Sequence, residues 1–290
     1  MFLQLLLSLR PRQWVKNLFV LPALVFSKHA LDWSYAGSAL AAVVCFLFAS
    51  SAVYLLNDLL DRESDRQHPI KSQRPIAARK LAASWAVVSC LILAIMGICW
   101  GWYLDPEFGS VLLIYALLNV LYSWKLKHFV LLDVFIVASG YLLRALGGGL
   151  VIEVYISTWF ILCSFTLALF LAVTKRRQEL VVQAGAAPSS RSILAEYSIP
   201  FLDQIISILT SATLVCYALY AMGVGEGLET SRQMQWTIPF VLYGILRYLY
   251  LVYREGEGEN PTAVLWKDRP LKITLLLWLL VSFAGLYGLP

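Results

Sequence analysis

The chain has 290 residues, 60% of them hydrophobic and only 14% charged, far from the roughly 45–50% apolar and about 25% charged residues of water-soluble domains. That composition excludes a soluble globular protein. The formal net charge of +5 is spread through short connections beside apolar runs and forms no single patch or binding motif, which excludes nucleic acid as a partner.

Runs of about 17–25 apolar residues cross a bilayer core, and about nine runs of this kind, some shorter, can be placed, so the expected fold is an all-α polytopic membrane protein with one domain over residues 1–290. The opening MFLQLLLSLR has no basic leader and no small-residue cleavage site, so the first run, Trp14 to Phe26, is expected to persist in the mature protein. It is short, and a tilted or partly interfacial course is allowed for it. The others follow as Tyr35 to Leu56, Leu81 to Tyr103, Val111 to Trp124, Phe129 to Val151, Ser157 to Val173, Phe201 to Met222, Trp236 to Tyr253 and Ile273 to Leu289. Cys45, Cys90, Cys99, Cys163 and Cys216 all fall inside these runs without a CxxC pair and read as small buried hydrophobes.

Alternate assignment of the connections from the N-terminus puts 19 of the 23 Lys and Arg residues on one side, with Lys28 and Arg232 on the other and Arg144 and Arg247 inside spans. The positive-inside rule then places the N-terminus and the long connections in the cytoplasm and, with an odd number of spans, the C-terminus outside. Asp105 and Glu107 in YLDPEFG, with Asp32, Glu153, Glu226 and Glu229, read as solvated loops of the opposite side. Within Thr174 to Pro200, the stretch AGAAPSS from Ala184 to Ser190 reads as a flexible break.

The connection after the second span carries the strongest local signal, NDLLDRESDRQHPIKSQRPIA from Asn57 to Ala77. If the helix continues through it, Asp58, Asp61 and Asp65 stand at i, i+3 and i+7 on one face, beside Asn57. Clustered carboxylates repel unless a cation lies between them, and hard oxygen ligands at a membrane surface suit Mg²⁺ bound together with substrate phosphates. Lys71 and Arg74 follow as phosphate partners, and the prolines of His68-Pro69 and Arg74-Pro75 stop the helix and fold the basic segment back over the acidic face.

Two charges sit inside the fifth span: Asp133 and, about 16 Å further along one helix face, Arg144, just before a break expected at Gly147-Gly148-Gly149. Asp133 is a candidate to hold Lys125, to bind a ribose hydroxyl or to complete a metal site. Arg144 reads equally as structural or functional, and Arg247, flanked by Tyr243 and Tyr250, reads as a link between helices.

The pattern N-D-x-x-D-x-x-x-D followed by H-P-x-K-x-x-R-P-x-A resembles the first aspartate-rich motif of the UbiA superfamily. The resemblance covers essentially the whole chain. It implies nine transmembrane helices around a central lipid-accessible cavity, with Asn57, Asp58, Asp61 and Asp65 binding magnesium diphosphate and Lys71 and Arg74 on the phosphates. Where most of that family carries a second aspartate-rich motif, this chain has Lys175, Arg176, Arg177, Gln178 and Glu179. A basic cluster there grips a phosphate without a metal. Together with LRPRQWVKN, which contains Lys16 and Asn17, and with Tyr122 and Lys125 of YSWKLK, it resembles the decaprenyl-phosphate phosphoribosyltransferase branch. ENPTAVLWKDRPLK, from Glu259 to Lys272, fits more loosely.

That branch implies phosphoribosyl pyrophosphate as donor, a polyprenyl phosphate as acceptor, and a bacterial plasma-membrane enzyme working at the cytoplasmic face among membrane lipids. A homo-oligomer is neither required nor excluded. The first rival is a UbiA prenyltransferase that moves a prenyl group from its diphosphate to an aromatic acceptor, and it predicts the second aspartate motif that is missing. A second rival, a transporter, predicts carboxylates near the bilayer midplane.

Overall fold

Among the described residues eight helices are long and apolar enough to cross a bilayer, and their ends show why they start where they do. Asp32, Asp105, Ser198 and Asp268 each accept a hydrogen bond from a first-turn N–H, and Pro106, Pro200 and Pro270 occupy the first helical turns behind three of these caps. The computed structural model describes residues 2–67, 71–184, 192–224, 232–258 and 261–288, and among these every regular element is helical. His68, Pro69, the stretch from Gly185 to Ser190, Arg191, Glu226, Glu229, Glu259 and Leu289 lie outside the described residues.

Two units divide the chain, Met1–Tyr155 and Ile156–Pro290. The first contains α1 (Phe2–Ser8), a 3-10 helix Pro11–Val20, α2 (Pro22–Phe26), α3 (Trp33–Leu60), α4 (Arg62–Gln67), a 3-10 turn Lys71–Gln73, α5 (Ala83–Leu104), α6 (Pro106–Trp124), a second turn Leu126–His128 and α7 (Leu132–Val151). The second contains α8 (Thr158–Ala184), a turn Ser192–Glu196, α9 (Ile199–Ala221), a 3-10 segment Arg232–Thr237, α10 (Ile238–Arg254), α11 (Pro261–Lys267) and α12 (Arg269–Tyr287).

The first expected span, Trp14 to Phe26, is not a regular helix. Pro22 starts a new piece, and the residues before it wind as a 3-10 helix. The path nevertheless runs antiparallel to α3 along its length: Arg10 meets Asp58, Asn17 meets Ser50, and Ala23 and Leu24 pack with Ala39. Ten 3-10 residues and five α-helical ones cover roughly 27 Å, close to the hydrocarbon thickness of a bilayer.

YLDPEFG is not an open loop, because Asp105 alone separates α5 from α6 and caps the second helix. Gly147, Gly148 and Gly149 do not break α7, which runs through them. They are small for packing: a Cβ on Gly148 would stand 2.0 Å from the Val20 carbonyl oxygen, and one on Gly147 would meet Phe46 and Phe108.

The core of the first unit joins Val20, Phe46, Phe108, Leu112 and Tyr115. By contrast α5 buries only Ala86, Gly97 and Gly101 and leaves Val87, Val88, Leu91, Ile92, Ile95 and Met96 exposed. An apolar face of that length does not survive in water. The chain is therefore a multi-pass membrane protein.

Candidate functional site

The acidic motif bends where an unbroken helix was expected. α3 ends at Leu60 and α4 starts at Arg62, with Asp61 as the C-cap between them. Hydrogen bonds still carry through the bend, from Asp61 N–H to the Asn57 carbonyl (2.9 Å) and from Asp65 N–H to the Asp61 carbonyl (2.8 Å). The bend separates the three carboxylates into a pair and a single.

Asp58 and Asp65 are the pair, both buried, and they meet at one guanidinium. Arg74 Nη1 donates to Asp58 Oδ1 at 3.0 Å and to Asp65 Oδ2 at 2.6 Å. Arg10 adds a second cation on Asp58 Oδ1 and lies over the Tyr54 ring, 5.0 Å from its centroid. Asp61 instead takes Lys127 Nζ. Uncompensated, two buried carboxylates cost several kcal/mol each, so this alternation of charges is what permits their burial.

Arg74 reaches the pair because its segment folds back, as its proline predicts. The N–H groups of Lys80 and Leu81 close on the Pro75 carbonyl, and Arg66 Nε donates to the Ala77 carbonyl at 3.2 Å. Arg74 Nη1 thus stands between two carboxylate oxygens at hydrogen-bond distance from both. Among the described residues no three His, Cys, Asp or Glu side chains stand close enough to hold a metal by themselves. Mg²⁺ usually takes one or two carboxylates and completes its octahedron with water and substrate phosphates, so this donor set fits Mg²⁺ that arrives with a phosphorylated ligand.

The other expected residues of this unit are dispersed. Asn57 is half-buried one residue before Asp58, Lys71 lies in the turn that leads to Arg74, and Lys16 is half-buried in the 3-10 helix. Tyr122 is half-buried in the last turn of α6, Lys125 is exposed and Asp133 is fully buried in the first turn of α7. The lysine of YSWKLK that reaches the carboxylates is Lys127, not Lys125. Asn17 is buried, donates to Ser50 Oγ (3.3 Å) and accepts from Arg144 Nε (2.9 Å). Ser50 lies eight residues before Asp58, about 12 Å back along α3. Arg144 completes its hydrogen bonds on the Gly140 carbonyl and Tyr115 Oη. This places Arg144 as a buried strut that ties α7 to α6 and the 3-10 helix.

In the second unit, KRRQE is not in a loop, because α8 continues to Ala184. Its helical spacing pairs Arg176 with Glu179 at 2.6 Å and brings Lys175 within 3.9 Å of the same carboxylate. Arg177 faces another way. Its Nε donates to Asp203 Oδ1 at 2.5 Å, Tyr253 Oη donates to the same oxygen at 2.7 Å, and the guanidinium stacks 4.1 Å from the Tyr253 ring centroid. Asp203, inside the apolar run Phe201 to Met222, is a site residue that the sequence did not single out. Arg247 donates to both Asp268 oxygens (3.3 and 2.8 Å), so it does link α10 to α12. That hydrogen bond holds the Asp268 carboxyl below the usual carboxylate range.

Residues 17–276 match the UbiA prenyltransferase family. The chain is 34% identical to a protein of Mycolicibacterium smegmatis named decaprenyl-phosphate phosphoribosyltransferase, over 98% of this chain and 92% of that one. A protein of the same name from Mycobacterium tuberculosis is 33% identical, over 94% and 90% of the two chains. Among solved structures, a UbiA homolog from Archaeoglobus fulgidus bound to GPP and Mg²⁺ superposes with a TM-score of 0.73 at 18% identity, over 98% of this chain and 99% of that one.

Proposed function

The chain belongs to the UbiA prenyltransferase family, and from that premise we propose that it transfers the 5-phosphoribosyl group of phosphoribosyl pyrophosphate to a polyprenyl phosphate of decaprenyl type, releasing pyrophosphate. The observation that carries this reading is the alternation of Asp58, Asp65 and Asp61 with Arg74, Arg10 and Lys127 at one end of α3. Acidic and basic groups in one place are what a metal diphosphate requires. The choice of donor rests on the relatives named decaprenyl-phosphate phosphoribosyltransferase and on a basic KRRQE where a second aspartate motif would bind metal.

In this proposal one or two of Asp58, Asp61 and Asp65 would hold Mg²⁺ together with the substrate phosphates, and the ion would offset the charge of the departing pyrophosphate. Arg74, Lys71, Arg10 and Lys127 hold phosphate oxygens directly by charged hydrogen bonds. Lys16, Asn57, Tyr122, Lys125 and Asp133 remain candidates for the rest of the donor, whereas Asn17 acts through Arg144. The lipid phosphate is already an anion, so it needs positioning more than a base. Lys175, Arg176 and Arg177 supply that positioning, with Glu179 orienting Arg176 and Asp203 leaving the Nη edge of Arg177 for phosphate oxygens.

The cation asymmetry supports a bacterial plasma-membrane location with the N-terminus and the carboxylates cytoplasmic, in one transmembrane domain over residues 1–290. Replacing Asp58 or Asp61 by Ala should abolish turnover while the purified protein still elutes as a folded species. Near-normal activity with both replaced would overturn the assignment.

A further inference from the structure

A cavity of about 340 Å³ opens beside α4 and the start of α5, lined by Arg62, Glu63, Arg66, Ile76, Arg79 and Ala82, among others. Arg62 and Arg66 share Glu63, at 3.3 Å and 2.7 Å, and among the described residues the exposed Arg79 makes no ion pair. Three guanidinium groups against one carboxylate leave the lining with an excess of positive charge. Arg79 also holds a φ of 57°, in the left-handed region that few residues other than glycine adopt. α5 begins at the cavity without a side-chain cap, so first-turn N–H groups and the positive end of a 22-residue helix add to the field.

The cavity adjoins the N-terminal end of an apolar span. From Ala83 onward α5 is an apolar span, and Trp85 and Val88 in its first two turns are exposed. An exposed tryptophan there is typical of the interface between headgroups and acyl chains.

We propose that this cavity binds the phosphate of an anionic membrane phospholipid, with Arg62, Arg66 and Arg79 on its oxygens and the acyl chains along the exposed face of α5. Scattered cations would satisfy the positive-inside rule, but here guanidinium groups from two segments converge on one space, and guanidinium matches phosphate oxygens bidentately. The consequence reaches the carboxylate cluster. α4 presents Arg62 and Arg66 to the cavity and Asp65 to Arg74, and Arg66 already bonds the Ala77 carbonyl. A phospholipid held here fastens α4 to the segment before α5 and so steadies the loop that positions Asp65 and Arg74. This holds whichever donor the enzyme uses.

The test offers the full-length protein equal amounts of phosphatidylglycerol and phosphatidylcholine and reads retained lipid by native mass spectrometry. Preferential retention of phosphatidylglycerol is expected, with a loss on the order of tenfold or more in Arg62→Gln/Arg79→Gln. The charge-matched control Arg254→Gln/Lys272→Gln, at exposed positions of the other unit, should retain it. Equal retention of the two lipids, or equal loss in both double variants, overturns the proposal. Displacement of the lipid by inorganic phosphate alone also overturns it, because the site would then serve a free anion. If the first double variant does not fold, Arg79→Gln alone replaces it, with the same outcomes read.

Discussion

Lys127 and Arg10 are where the structure adds most to what the residues themselves announce. The spacing of Asp58, Asp61 and Asp65 was legible because it is local, and Arg74, only nine and sixteen residues on from Asp65 and Asp58, was legible because the proline after it turns its segment back. Arg10 and Lys127 lie 48 and 66 residues from the carboxylates they pair with, distances that only packing resolves. Asn17, whose motif pointed to substrate, hydrogen-bonds Ser50 and Arg144, partners 33 and 127 residues away that the sequence alone did not join to it. Lys127→Ala should lower kcat/KM by roughly 10- to 150-fold, the range expected for a lost charged hydrogen bond of about 1.5–3 kcal/mol, whereas Lys125→Ala, at an exposed position, should change it by less than about threefold. Steady-state kinetics of the two variants decides between the lysines; the opposite ranking would restore Lys125 to the site.

At the scale of elements, hydropathy placed the spans and missed how the first is built. A 3-10 helix has no periodic signature of its own in an apolar run, and its course is set by contact with α3 and α7. One of these contacts sets the Val20 carbonyl where a Cβ on Gly148 would stand, which explains a glycine that looked like a helix break. Alanine is the better helix former by about 1 kcal/mol, so Gly148→Ala on an exposed helix would stabilise. Here the added Cβ would stand 2.0 Å from a backbone oxygen that cannot swing aside. Overpacking of this kind costs about 1–3 kcal/mol or more, and the clash should win. Thermal unfolding of the detergent-purified variant should show a lower midpoint than the parent, and an unchanged or higher midpoint would mean that the 3-10 helix yields easily. KRRQE gives the same lesson, since its ion pairs exist because α8 runs past the apolar run into the charged one.

For the molecule as a whole, composition sufficed to show a membrane protein, and the cation asymmetry predicts that its long connections face the cytoplasm. Arg10 beside Asp58, with Ala23 and Leu24 beside Ala39, lays the broken first segment antiparallel along α3. A single Cys at the exposed Ser64, with the five native cysteines replaced, should resist an impermeant thiol reagent in intact cells and react in inverted vesicles. The reverse pattern would turn the topology over. The choice of substrates is decided by offering the purified enzyme each donor separately with Mg²⁺ and its matching acceptor. Labelled phosphoribosyl pyrophosphate with polyprenyl phosphate should yield a labelled lipid, with Arg177→Ala weakening use of the lipid phosphate. Turnover of a prenyl diphosphate with an aromatic acceptor, and none of phosphoribosyl pyrophosphate, would contradict it.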